Sequence, residues 1–208
     1  MKTENIIFDL GGVLLNIDYN LTIKAFEGLG IADFNKIYSQ AQQSKLFSSF
    51  EVGEIDDSEF LQGIKELGNI NSSHDEIATA WNAMLLDFPR ERFDFLTQIQ
   101  KQYNTFLLSN TNSIHEEAFQ KIIRKENLVT GLEPYFSKIY FSHRIGHRKP
   151  NKQAFEYVLN DNCLDPLKTL FIDDTKQHVT GAKKLGIRSL HLDTSIETVI
   201  DRLGFLLT

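Results

Sequence analysis

The chain has 208 residues, 41% hydrophobic and 24% charged, which is enough apolar material for one large domain or one domain carrying an insertion. Its formal net charge of -6 leaves no basic field to attract a nucleic-acid backbone, and no stretch approaches the ~20 apolar residues of a membrane span. The single cysteine, Cys163, excludes an intramolecular disulfide and, with no signal-peptide pattern at the start, points to a reducing, cytoplasmic setting.

The first expected element is a strand over 5–10 (NIIFDL), followed by a long stretch, 16–88, with helical patterns and no convincing strand. Asp18 can cap a helix through Glu27, and a second helix is expected over 33–51. Asp57 or Ser58 opens a third, and Ser72 or Ser73 a fourth that contains Trp81. Phe26, Phe34, Phe47, Phe60 and Trp81 read as the core of this bundle, not as a surface for stacking a ligand. Beyond it, helices over 90–102, 113–126, 151–162 and 176–185 alternate with strands over 105–109 (TFLLS), 138–142 (KIYFS), 169–173 (TLFID) and 188–192 (RSLHL). Pro150-Asn151-Lys152 marks a helix start and Gly186 a helix stop. Lys121, Arg124 and Lys125 lie at helical spacing and read as a solvated face.

Several of these strands are almost continuously apolar, as strands buried on both faces are. Their alternation with helices predicts an α/β fold: a three-layer, doubly wound parallel sheet with right-handed crossovers. Residues 1–15 and 89–208 would form that core, and 16–88 an inserted helical bundle acting as a cap. An insertion at that point overhangs the carboxyl ends of the strands, where open α/β sheets bind ligands. Selectivity is therefore expected around 47–53 or in the loop after Asn16.

Polar residues gather where the strands end. The first strand runs into Asp9 and Gly11-Gly12, the second into Ser109-Asn110-Thr111-Asn112, the third into a segment HRIGHRKP, and the fourth into Asp173-Asp174. One such carboxylate would be a turn former; four strand ends carrying acid, hydroxyl, base and acid in succession make a site. Asp9 and Asp174 brought together would repel, and a divalent cation removes that cost. With oxygen ligands and no His or Cys cluster at zinc spacing, that cation is expected to be Mg2+. Lys149, the Ser109 hydroxyl and backbone N–H groups of Leu10, Gly11 and Asn110 would cradle a phosphate. A carboxylate can then attack phosphorus to give an aspartyl phosphate that water hydrolyses.

The segments FDLGGV, LLSNTN, RKP and FIDD, in this order, resemble motifs I to IV of the haloacid dehalogenase-like (HAD) hydrolase superfamily, whose core is Rossmann-like. The likeness spans essentially the whole chain and extends to a helical insertion after motif I. It implies Asp9 as nucleophile and metal ligand, Ser109 as phosphate binder and Lys149 as the motif III lysine. Asp174 would be the acidic metal ligand, Asp173 its support or a second ligand, and the Gly11 carbonyl a further ligand. The superfamily pattern has a second Asp two residues after the nucleophile as general acid and base; here that position is Gly11. Loss of such a group typically slows turnover about 10²–10⁴-fold, so good leaving groups are favoured. The FDLG opening resembles a bacterial subgroup that includes a phosphatase of glucose 1-phosphate, which implies a sugar phosphate such as a hexose 1-phosphate.

His178 departs from the Asn or Asp of related chains, and either hydrogen-bonds behind the metal ligands or faces solvent. His143 and His147 flank Lys149 and read as loop histidines, although either could replace the missing acid. His74, His115 and His191 show no arrangement that suggests a site, and Cys163 reads as an incidental thiol. Three functions follow: a Mg2+-dependent phosphatase of a small phosphorylated metabolite, a metal-independent dehalogenase-type hydrolase, or a non-catalytic phosphate sensor. The pair Asp173-Asp174 favours the phosphatase, since the dehalogenase has little use for it. Oligomeric state is open, because an apolar helix face serves a cap core and an interface equally well.

Overall fold

Strand β1 (Asn5–Phe8) is buried along its whole length and lies at the centre of a five-stranded sheet. The computed structural model of the chain describes residues 2–32, 34, 45–127, 130–195 and 197–207. With β2 (Asn104–Ser109), β3 (Lys138–Phe141), β4 (Thr169–Asp173) and β5 (Arg188–His191), the sheet order is β3-β2-β1-β4-β5. Every neighbouring pair is parallel. The chain winds outward on one side of β1 and then returns to its other side, so the strand order switches direction between β1 and β4. Ligands bind at such a switch point.

All five expected strands are present, some ending a residue or two early. Strand β1 stops at Phe8 because the Leu10 N–H leaves the ladder for Asp9 Oδ1 at 2.7 Å. The Leu10 carbonyl then accepts from the amides of Leu14 and Leu15, both at 2.8 Å, closing a tight turn. Alternate residues of β1 feed opposite layers. Ile6 and Phe8 pack with Phe95, Leu96, Phe119 and Leu203, whereas Ile7 packs with Phe155, Val158 and Ala182.

Of the five described α-helices between β1 and β2, the first four are α1 (Tyr19–Gly28), α2 (Leu46–Glu51), α3 (Asp57–Gly68) and α4 (His74–Asn82). Of the helix expected over 33–51, residues 33 and 35–44 lie outside the described residues. Asp18 caps α1 as expected, and Ser73 with Glu76 forms a capping box on α4. The cap of α3 is Asp56 with Glu59, one residue before the expected opening. Each such cap is worth about 1 kcal/mol. These helices share their own core of Phe26, Phe34, Phe47, Phe50, Phe60 and Trp81, as expected. Phe50 and Phe60 stack with ring centroids 4.0 Å apart.

Two strands of chain join this bundle to the sheet. Ile17 and Leu85 form an antiparallel bridge, and buried Arg92 donates to the Leu14 carbonyl (2.9 Å) and to Asn16 Oδ1 (2.8 Å). The remaining helices are α5 (Arg90–Ile99), α6 (Ser113–Asn127), α7 (Ser142–Ile145), α8 (Lys152–Asp161), α9 (Lys176–Lys183) and α10 (Val199–Leu203). Among the described residues, no helix is long and apolar enough to cross a membrane. Lys121, Arg124 and Lys125 are exposed on α6, as a solvated face requires.

Candidate active site

The parallel sheet brings Asp9, Ser109, Lys149, Asp173 and Asp174 to one edge, as expected from their places after β1–β4. Lys149 carries the arrangement. Its side chain is fully buried, and Nζ lies 2.8 Å from Asp9 Oδ1 and 2.7 Å from Asp173 Oδ2. Asn110 holds the lysine's backbone in place: its Oδ1 accepts from the Lys149 N–H at 2.9 Å, and its Nδ2 donates to the Lys149 carbonyl at 2.8 Å. The Asn110 side chain is therefore a clamp between two loops. Gly181 on α9 packs against Pro150, where an added Cβ would come 2.6 Å from the Pro150 carbonyl oxygen.

Burial and charge pull the carboxylates in different directions. Burial pushes Asp9 up to about 8; Lys149 opposes this, and Asp173 and Asp174 add to it. Burial also acts to raise Asp173, but Lys149 and His178 outweigh it and hold the group down at about 2. Asp174 is raised, first by burial and then by Asp173. For Lys149, burial alone would lower the pKa; Asp173 and Asp9 reverse the sign, and the ammonium is kept. Three carboxyl groups thus face one lysine, and the site lacks positive charge.

That shortage, with donors that are oxygens, fits a hard divalent cation. Asp9, Asp173 and His178 offer atoms that all lie within 4.8 Å of one another. Lys149 Nζ already bridges the two carboxylates of that trio, so its cation is the ammonium. Among the described residues, the acid of this site without an ion pair is Asp174. Its carboxyl lies against the glycine turn, where a Cβ on Gly12 would come 2.2 Å from Oδ2. Asp9, Asp174 and the Gly11 carbonyl are the groups that could hold a metal. Gly12 also has φ +75, a region that costs an L residue about 1–2 kcal/mol. Gly12→Ala is expected to destabilise by at least that amount, read as a lower urea midpoint; an unchanged midpoint would show that Asp174 and the turn yield freely.

The position two residues after Asp9 offers no carboxylate, and its surroundings have closed over the gap. A Cβ on Gly11 would meet Ile17 Cδ1 at 3.2 Å. Above Gly11 and Leu10 lies a cavity of ≈ 100 Å³, walled on the sheet side by Ser109, Asn110, Thr111 and Asn112 and on the helical side by Tyr19, Glu51, Trp81 and Met84. Ser109 is buried, and its hydroxyl makes only a long 3.5 Å contact with the Asn110 carbonyl.

The histidines separate clearly. His178 Nδ1 lies 3.0 Å from both oxygens of Asp173, so it faces inward behind the acidic pair. His143 binds Glu116 at 3.1 Å and His147 meets Tyr157 edge-on; neither lines the cavity, in keeping with their reading as loop histidines. Two others were missed by sequence reasoning. His115 is buried, stacks on Trp81 and contacts the Trp81 carbonyl at 3.1 Å and Asn112 Nδ2 at 3.2 Å. A carbonyl accepts only, so Nε2 donates and Nδ1 accepts, and burial pushes the group down to about 4. His191 contacts the Asp174 carbonyl at 2.9 Å; its only sequence signal is its place at the end of the strand beside Asp173.

The family model described as haloacid dehalogenase-like hydrolase matches residues 6–192. A D-ribitol-5-phosphate phosphatase of Bacteroides thetaiotaomicron is 30% identical over 187 residues, covering 89% of this chain and 90% of that one. A phosphorylated carbohydrates phosphatase of Thermotoga maritima is 25% identical over 199 residues, covering 90% and 84%. The crystal structure of a HAD family enzyme, bt-2542 of Bacteroides thetaiotaomicron, in complex with magnesium and inorganic phosphate, superposes with a TM-score of 0.83. It is 33% identical and covers 94% of this chain and 96% of its own. Likeness along nearly the whole length has one consequence: this chain belongs to the haloacid dehalogenase-like hydrolase family.

Proposed function

We propose that the chain is a magnesium-dependent phosphatase of a small phosphorylated sugar or polyol, with Asp9 as its covalent nucleophile. The observation that carries this reading is the cluster in which Lys149 pairs with the buried Asp9 and Asp173 and leaves the neighbouring Asp174 without an ion pair among the described residues. Residues 1–15 and 89–208 serve as the catalytic core, and 16–88 as a helical cap over it. The exposed single thiol, Cys163, suits a reducing cytoplasm.

In this mechanism the Asp9 carboxylate attacks phosphorus, and the ester oxygen leaves with its electron pair. Lys149 opposes the burial that raises Asp9 and orients its carboxyl, and it binds a phosphate oxygen together with the Ser109 hydroxyl and the backbone N–H groups of Gly11 and Asn110. His178 and the Thr175 N–H, which donates to Asp173 Oδ1 at 2.8 Å, fix Asp173 so that it in turn fixes Lys149. Magnesium, held by Asp9, Asp174 and the Gly11 carbonyl with Asp173 in support, would draw charge from the transferring phosphoryl group. Water then hydrolyses the aspartyl phosphate. A sugar or polyol phosphate is favoured because the relatives from Bacteroides thetaiotaomicron and Thermotoga maritima are named for such substrates; a hexose 1-phosphate remains within that class.

The test is turnover of p-nitrophenyl phosphate with added magnesium and with a chelator, followed by a panel of polyol and hexose phosphates. Release of phosphate only with magnesium is expected. Metal-independent halide release from a 2-haloacid would replace this reading by the dehalogenase, and phosphate binding without turnover of any substrate would replace it by the sensor.

A further inference from the structure

A phosphatase with glycine at position 11 lacks the usual donor for its leaving group, and the cavity above that glycine shows where one comes from. Of the described residues that line it, only Tyr19, Glu51 and His115 can titrate. Tyr19 is 60% exposed. His115 has both ring nitrogens engaged and is held neutral. Glu51 remains. It ends α2 of the helical insertion and reaches a cavity whose other wall is Gly11 and Ser109, small enough for one leaving group to touch both sides. The turn after it is tightly seated: a Cβ on Gly53 would lie 2.2 Å from the His143 carbonyl oxygen of α7.

The Glu51 carboxyl is also incompletely satisfied. Arg148 Nη1 stands 3.0 Å from Oε2, yet that oxygen is shut off from solvent and has no hydrogen bond of acceptable geometry. Burial raises its pKa, with Arg148 in opposition. A part-buried acid with one oxygen shut off from solvent, held by the Arg148 ion pair alone and set in the wall of the cavity above Gly11, suits a proton-transfer group.

Resting on the phosphatase reading above, we propose that Glu51 is the general acid and base that the first motif lacks. As Asp9 Oδ forms its bond to phosphorus and the P–O ester bond breaks, the Glu51 carboxyl gives its proton to the departing alkoxide. The Glu51 carboxylate so formed then takes a proton from the water that attacks the aspartyl phosphate, which returns both groups to their starting states.

Rapid-quench measurement of the first turnover tests this with two probes, ribitol 5-phosphate and p-nitrophenyl phosphate, both with magnesium. Nitrophenolate leaves without protonation, and an alkoxide does not. In Glu51→Gln the phosphorylation rate is expected to fall about 10²–10⁴-fold on the alkyl ester and less than tenfold on the aryl ester. Glu51→Asp should show a smaller loss confined to the alkyl ester. Glu54→Gln, on the exposed turn beside it, should alter neither rate. Equal losses on both esters, for either Glu51 variant, would mean a binding or structural role and overturn the proposal; so would no loss on either. Failure of the parent protein to turn over p-nitrophenyl phosphate would instead strike the phosphatase reading itself.

Discussion

Asparagine at position 9 is expected to abolish turnover while making the metal-free protein more stable at pH 8. The loss of activity follows from the chemistry, since an amide oxygen does not displace an ester at phosphorus. The gain in stability follows from linkage. Asp9 titrates near its ordinary 3.8 when unfolded and at about 8 in the folded site, where burial dominates. Between those values the folded chain holds a proton that the unfolded chain has released, so stability falls as pH rises, by up to about 1.4 kcal/mol per unit. The cost is absent below pH 3.8 and complete above pH 8. Asp173 acts in a separate window: held at about 2, it contributes stability above pH 3.8 that is lost as pH falls toward 2. Urea unfolding with a chelator at several pH values between 4 and 8 reads this directly. The parent should lose stability across the range, and Asp9→Asn should lose much less; parallel slopes would show that Asp9 is not the strained acid.

Methionine at position 149 is expected to cost about 3–5 kcal/mol of stability and nearly all activity. Its volume suits the fully buried slot, so packing is largely kept and the missing ammonium is what the experiment sees. Asp9 and Asp173 then face each other with no cation between them, and removing one partner of a buried ion pair typically has that cost. The same logic predicts strong coupling. The loss caused by Lys149→Met should be smaller in the Asp9→Asn background than in the parent, because the second change removes one of the two acids left without a cation. An equal loss in both backgrounds in urea unfolding would mean that the 2.8 Å contact contributes little. These two substitutions separate the roles proposed for the pair: Asp9 as the strained acid and nucleophile, Lys149 as the cation that holds the site together.

Much of this was legible in the sequence because it depends on local pattern. The apolar runs that became β1–β5 are nearly unbroken, and strands covered on both faces need that composition. The place of the candidate site groups follows largely from topology: a parallel sheet puts every strand's carboxyl end on one edge, which brings Asp9, Ser109 and Asp173-Asp174 together, while the Asn110 side chain holds the loop that carries Lys149. Boundaries were less legible. Strand β1 ends two residues before the apolar run suggests, because the Asp9 side chain captures the next amide. The cap of α3 fell on Asp56 where neighbouring Asp57 and Ser58 offered similar signals.

The sequence by itself determined the α/β class, the helical insertion, the oxygen-rich strand ends and the absence of a carboxylate at Gly11. Only the tertiary structure decided which acid pairs with which base. Lys149 joins Asp9 and Asp173 and leaves Asp174 beside the glycine turn; His178 faces Asp173 and not solvent. It also brought Glu51 over the site and tied His115 to Trp81. The reason is physical: strand and helix patterns are set by neighbours in the chain, whereas burial, charge pairing and the contents of a cavity depend on groups far apart in sequence that meet only when the sheet and the helical insertion have packed.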